Sequence, residues 1–97
     1  MSKKITLPKL NKKTLNADFV QLWWSDINSD AGWQHLGSAV KSKPTICVST
    51  GWLIKNSGGI HILAADLNFD DDGAIADVSN VTTIPSSNVI KIIKIKL

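Results

Sequence analysis

The chain has 97 residues, 43% of them hydrophobic, and a formal net charge of +3, which bounds it to one domain with a single core and excludes disorder throughout. No apolar run reaches the roughly 18 residues of a membrane-spanning helix, and the leading lysine-rich segment is followed by no secretory apolar stretch. With Cys47 alone no internal disulfide can form, so a cytoplasmic protein without a membrane partner is expected.

Every basic residue is lysine and every acidic one aspartate; arginine, glutamate and tyrosine are absent. Lysines 3, 4, 9, 12 and 13 lead the chain and lysines 91, 94 and 96 close it, while five of the eight aspartates fall between Asp66 and Asp77. Lysine attracts phosphate as a point charge but lacks arginine's bidentate fork. Any nucleic-acid binding should therefore be salt-sensitive and shallow in sequence preference.

Residues 1–16 show no sustained period and read as a basic N-terminal arm, leaving residues 17–97 as the single domain. A first strand is expected from Asp18 to Asp26, with Val20, Leu22 and Trp24 on one side and Phe19 and Trp23 on the other. Being apolar on both faces, it leaves Trp23 in need of cover from another subunit. Residues 27–44 form a long connection in which Asp30, Trp33, Leu36 and Val40 suggest one or two helical turns, interrupted by Gly32 and Gly37.

Three further strands follow at residues 45–56, 59–69 and 74–84, hinged at Ser57-Gly58 and Asp72-Gly73. Centring the first turn on Ser57-Gly58 sets Trp52 opposite Leu63, Thr50 opposite Ala65, Val48 opposite Leu67 and Ile46 opposite Phe69. Centring the second on Asp72-Gly73 sets Phe69 against Ala76 and Leu67 against Val78, so both turns predict one continuous apolar face. The other face then carries two polar rows, Ser49 with Asp66 and Ser79, and Cys47 with Asn68 and Asp77. A tight turn at Ile84-Pro85-Ser86-Ser87-Asn88 leads to a last strand over residues 89–97, where the apolar period slips between Ile92 and Ile93. The sum is an all-β, strongly bent, five-stranded antiparallel barrel with a long first connection.

No catalytic signature is expected from these residues. In the predicted register Cys47 and His61 lie on opposite faces, so a thiol–imidazole pair does not form. One cysteine and two distant histidines make no zinc set. The run Asn68-Phe69-Asp70-Asp71-Asp72-Gly73 partly imitates a calcium loop, yet Ser79 stands where the bidentate glutamate belongs, and the segment reads as a solvated turn. Neither metal nor cofactor is expected. Tryptophans 23, 24, 33 and 52 suit core or interface better than a base-stacking platform.

The order of elements resembles the Sm-like fold. Trp24-Ser25-Asp26, the following Trp33, Ser49-Thr50-Gly51-Trp52, and Ile84-Pro85 ahead of Val89-Ile90 also look like small, mostly uncharacterised bacteriophage proteins. The resemblance implies a non-enzymatic, homo-oligomeric ring that binds single-stranded RNA, acting in a host cytoplasm if phage-encoded. Asp66-Leu67-Asn68 is a loose counterpart of the family's aspartate–asparagine motif, and Ile84-Pro85-Ser86-Ser87 stands where the family carries a basic residue and glycine. Candidate RNA-binding residues on that basis are Asp66, Asn68, Ser86, Ser87 and Lys55; candidate subunit contacts are Trp23, Ile93, Ile95 and Val81. The same barrel also resembles the Src-homology type, in which such a loop shapes a peptide groove; the competing expectation is a protein-interaction adaptor acting on a host protein through the loop around Trp33.

Overall fold

In the computed structural model, residues 5–8, 10, 15 and 17–96 are described, so most of the arm at residues 1–16 and position 97 of the last strand lie outside the described residues. Five strands form one antiparallel sheet: β1 (Asp18–Asp26), β2 (Thr45–Ser57), β3 (Ile60–Phe69), β4 (Ile75–Pro85) and β5 (Val89–Lys94). Their order is β4-β3-β2-β1-β5. The mostly-β, five-stranded antiparallel architecture predicted above is thus present, but β4 and β5 stand at opposite edges and the sheet is not closed into a barrel.

The connection at residues 27–44 holds a single short helix, α1 (Leu36–Ala39), with no side-chain cap and no buried residue. The tight turn after Pro85 is a 3₁₀ turn, Ser86–Asn88. It is stitched down on two sides: Asn88 Nδ2 donates to the Ser25 carbonyl at 2.8 Å, and Ser86 N donates to the Gly59 carbonyl at 2.9 Å. These bonds bring the start of β5 back against β1.

The β2–β3 register differs from the predicted one, and the difference has two causes. Gly58 and Gly59 have φ of 64° and 79°, so the turn takes the glycine pair, which alone meets the positive φ required at both central positions. That moves the pairing by two residues and preserves the faces, giving Lys55 opposite Ile62 and Asn56 opposite His61. A bulge between Leu53 and Lys55 then inserts one odd residue and exchanges the faces of everything upstream. Trp52 consequently pairs with Ala64 and Leu53 with Leu63, so Trp52 and Leu63 lie on opposite sides of the sheet. Trp52 packs instead against Phe19, ring centroids 4.8 Å apart and planes tilted by 58°.

The β3–β4 register is the predicted one along most of its length, with Leu67 opposite Val78 and Asp66 opposite Ser79. It departs only near its turn, where a bulge sets Phe69 against Ile75 in place of Ala76. Gly73 N donates to the Asp70 carbonyl at 3.0 Å, which centres that turn on Asp71-Asp72 with Gly73 following at φ 82°. The Asp70 carboxylate accepts from its own turn, at Asp72 N and Ala74 N, as a short polar residue does in stabilising a loop.

The core is the concave face of the curled sheet. Val20 and Leu22 of β1, Leu63 of β3 and Ile84 of β4 are almost fully buried, with Trp24, Leu53, Val89 and Ile92 packed around them. β2 parts from β3 at Gly51. A Cβ there would lie 2.8 Å from the Ala64 carbonyl oxygen, so only glycine permits the approach. Beyond this point β2 pairs with β1 alone, and the β3–β4 hairpin continues as a separate arm.

Candidate functional site

The polar row predicted on β3 and β4 exists, without its β2 members. Asp66 accepts from Ser79 Oγ at 3.2 Å and from Asn80 Nδ2; the latter residue reaches it through a left-handed backbone, φ 51°. Asn68 Oδ1 accepts from Asp77 N at 2.6 Å, and its amide donates to the Asp77 carboxylate at 3.3 Å. Ser49 is elsewhere, accepting from Trp24 Nε1 at 3.0 Å on the core side. The resulting depression, about 100 Å³, is lined by Asp66, Leu67, Asn68, Asp77, Val78 and Ser79. Its two carboxylates make it electronegative, unfavourable for a phosphate backbone.

The remaining RNA candidates sit at the other end of β3. Ser86 Oγ lies 2.8 Å from Nδ1 of the buried His61, and Ser87 Oγ donates to Asn88 Oδ1 at 3.3 Å. Lys55 stands on the nearby turn end of β2, beside a cleft that also includes Asp18 and Lys94. Ile60 pairs with Pro85 and Asp66 with Ser79, so about 20 Å of strand separates the two groups, six residues at ~3.3 Å each. The structure does not bring Asp66, Asn68, Ser86, Ser87 and Lys55 into one patch.

The groups weighed for catalysis are likewise apart. Cys47 pairs with Trp24 near one end of β2, whereas His61 faces Asn56 at the other end, and His35 belongs to the exposed loop. The changed register puts Cys47 and His61 on the same face, contrary to expectation, but strand length keeps them from meeting. Among the described residues no group of three or more His, Cys, Asp or Glu side chains is placed to hold a metal ion. Nor is any helix there long and apolar enough to cross a membrane.

The predicted subunit contacts fare differently from one another. Trp23 and Ile93 meet on the convex face, in a depression of about 340 Å³ completed by Gln21, Ile46, Ile90 and Lys91. Ile95 continues from β5, its amide donating to the Phe19 carbonyl at 2.8 Å, and its side chain is exposed. Val81 is exposed on β4 at the far edge. Sequence reasoning missed Ile46 and Val48, because the assumed turn assigned them to the interior; both are about half exposed.

Trp33 is wholly exposed, and Ile27, Leu36 and Val40 of the same connection are nearly so. Side chains of Trp33, Gln34, His35 and Ser38 border a shallow open cleft. Apolar surface is thus concentrated on the convex face of β1, β2 and β5 and on this loop, far in excess of scattered surface residues. No known family, curated protein or solved structure matches this chain.

Proposed function

We propose that the chain is a non-enzymatic binding module that works as a homo-oligomer, an Sm-like ring with single-stranded RNA as its candidate ligand. The observation that carries self-assembly is the exposed surface. The chain exposes 7901 Å², against about 5,400 Å² for a compact monomer of this mass. Exposed Ile5, Leu7 and Leu10, the Trp33 loop and the convex face all contribute.

Charge supports a head-to-tail arrangement. One open edge, β4, carries Asp77 and belongs to the aspartate-rich arm; the other, β5, carries Lys91 and Lys94. Pairing β4 of one copy with β5 of the next opposes unlike charges, whereas pairing either edge with itself opposes like ones. A heterologous contact of this kind closes into a ring when its rotation permits. RNA would then meet lysines, Lys55 among them, and not the Asp66–Asn68 depression.

Light scattering on the native chain should give a defined multiple of 10.5 kDa, and a labelled uridine-rich oligonucleotide should bind more weakly as salt rises. A monomer at every concentration would overturn the assembly. An oligomer that binds no oligonucleotide at low salt would remove the RNA ligand.

The exposure of Trp33, Leu36 and Val40 favours a second reading, an adaptor that docks a host protein through this loop. A four-residue helix with no buried side chain gains little from its own hydrogen bonds and is ordered best by a partner. Capture of one host protein by the native chain and not by Trp33→Ala supports that reading; equal capture by both sinks it.

A further inference from the structure

We infer that the free edge of β2 at residues 45–50 is a second self-association site, pairing with the same edge of another copy across a two-fold axis. It shares with the ring only the premise of self-association and uses a different strand. Residues 45–53 of β2 pair with β1 on one side. On the other side β3 takes up only residues 52–57. Among the described residues, the outer backbone groups at 45–50 therefore have no ladder partner.

Other stretches of strand in this sheet also have an open side, the turn end of β2 with Lys55 among them, and these are guarded by charge. β4 carries Asp77 and ends in Pro85, β5 carries Lys91 and Lys94, and the free part of β3 carries Asp66. Charge and proline on an edge discourage addition of a like strand, while leaving β4 and β5 open to each other. The β2 stretch, Thr45-Ile46-Cys47-Val48-Ser49-Thr50, has neither, and Thr45, Ile46, Val48 and Thr50 are β-branched. It is the one free stretch with neither charge nor proline set against pairing with its own copy.

The occupant follows from charge and symmetry. An edge that pairs with its own copy sets each residue against a residue of the same strand, which is unfavourable for β5 with its lysines and for β4 with Asp77. The uncharged β2 stretch has no such conflict, and antiparallel pairing about a two-fold is self-complementary. Ile46 and Val48, 59% and 48% exposed, would then gain apolar neighbours from the copy. The convex patch of Trp23, Ile46, Val48 and Ile93 would run continuously from one chain to the next.

Cys47 lies in the middle of the stretch and is the only cysteine, which supplies the test. A short bismaleimide added to the native chain should yield a covalent dimer and nothing larger, since each chain offers one thiol. Val48→Lys should abolish that dimer; Thr50→Lys, at an exposed position, serves if the first variant loses its β-sheet circular dichroism. Chains capped singly at Cys47 without dimer would overturn the inference, as would dimer that persists in a folded lysine variant. A ring mass by light scattering without the cross-link sinks the β2 contact alone, and the cross-link with a mass of two chains sinks the ring alone.

Discussion

Gly51 and Asn80 show how single positions shape the molecule. A methyl group at Gly51 would press on the unyielding backbone carbonyl of Ala64 at 2.8 Å, at the point where β2 leaves β3. Gly51→Ala should therefore destabilise the fold by about 1–3 kcal/mol, the usual cost of overpacking. Urea denaturation would register it as a lower midpoint. At Asn80 the left-handed backbone, φ 51°, predicts that Gly is tolerated while Val costs about 1–2 kcal/mol through its Cβ; the same titration checks both. Neither role was legible in the residues themselves: Ser49-Thr50-Gly51-Trp52 reads as an ordinary strand with a weak point until β3 is seen to approach it. That Trp23 lies outside the core was legible because β1 is apolar on both sides, a pattern no single core can satisfy. Asp66, Asn68, Ser86, Ser87 and Lys55 were assembled from a resemblance rather than from a shared face, and the strand length between them keeps them apart.

At the level of elements, all five strands were legible because alternating apolar residues, Pro85 and the glycine-containing turns delimit them. The β3–β4 pairing was legible too, since a run of aspartates offers few ways to turn. The β2–β3 pairing was not. Ser57-Gly58-Gly59 offers two adjacent sites for a two-residue turn, and the bulge past Leu53 leaves no mark in residue type. Gly59, at φ 79°, tests the turn: Gly59→Ala should cost about 1–2 kcal/mol, more than Ser57→Ala outside the glycine pair, by thermal unfolding. The loop carrying α1 behaves oppositely. Because Trp33 touches nothing that it would leave empty, Trp33→Ala should change stability by less than about 0.5 kcal/mol, a result that separates a docking residue from a packing one.

The whole molecule is extended, with a radius of gyration of 18.8 Å against about 12.5 Å for a compact chain of this length. Its fully buried core is small, centred on Val20, Leu22, Leu63 and Ile84. Stability should accordingly depend on protein concentration, since association with further copies adds to folding by mass action. The midpoint of thermal unfolding should rise between dilute and concentrated samples, and a constant midpoint would show a self-sufficient fold. Added salt should weaken the proposed contact between aspartate-bearing and lysine-bearing edges, whose charges are exposed and screened over about 8 Å at physiological ionic strength; native mass against salt measures it. With tyrosine absent, the four indoles are the chain's only strong ultraviolet emitters, and they occupy four different settings: Trp24 against the core, Trp52 packed against Phe19, Trp23 in the convex depression and Trp33 in water. The molecule thus carries its own optical reporters, in which self-association should shift Trp23 emission to the blue while leaving Trp33 open to a dissolved quencher, and capture of another protein by the loop should do the reverse.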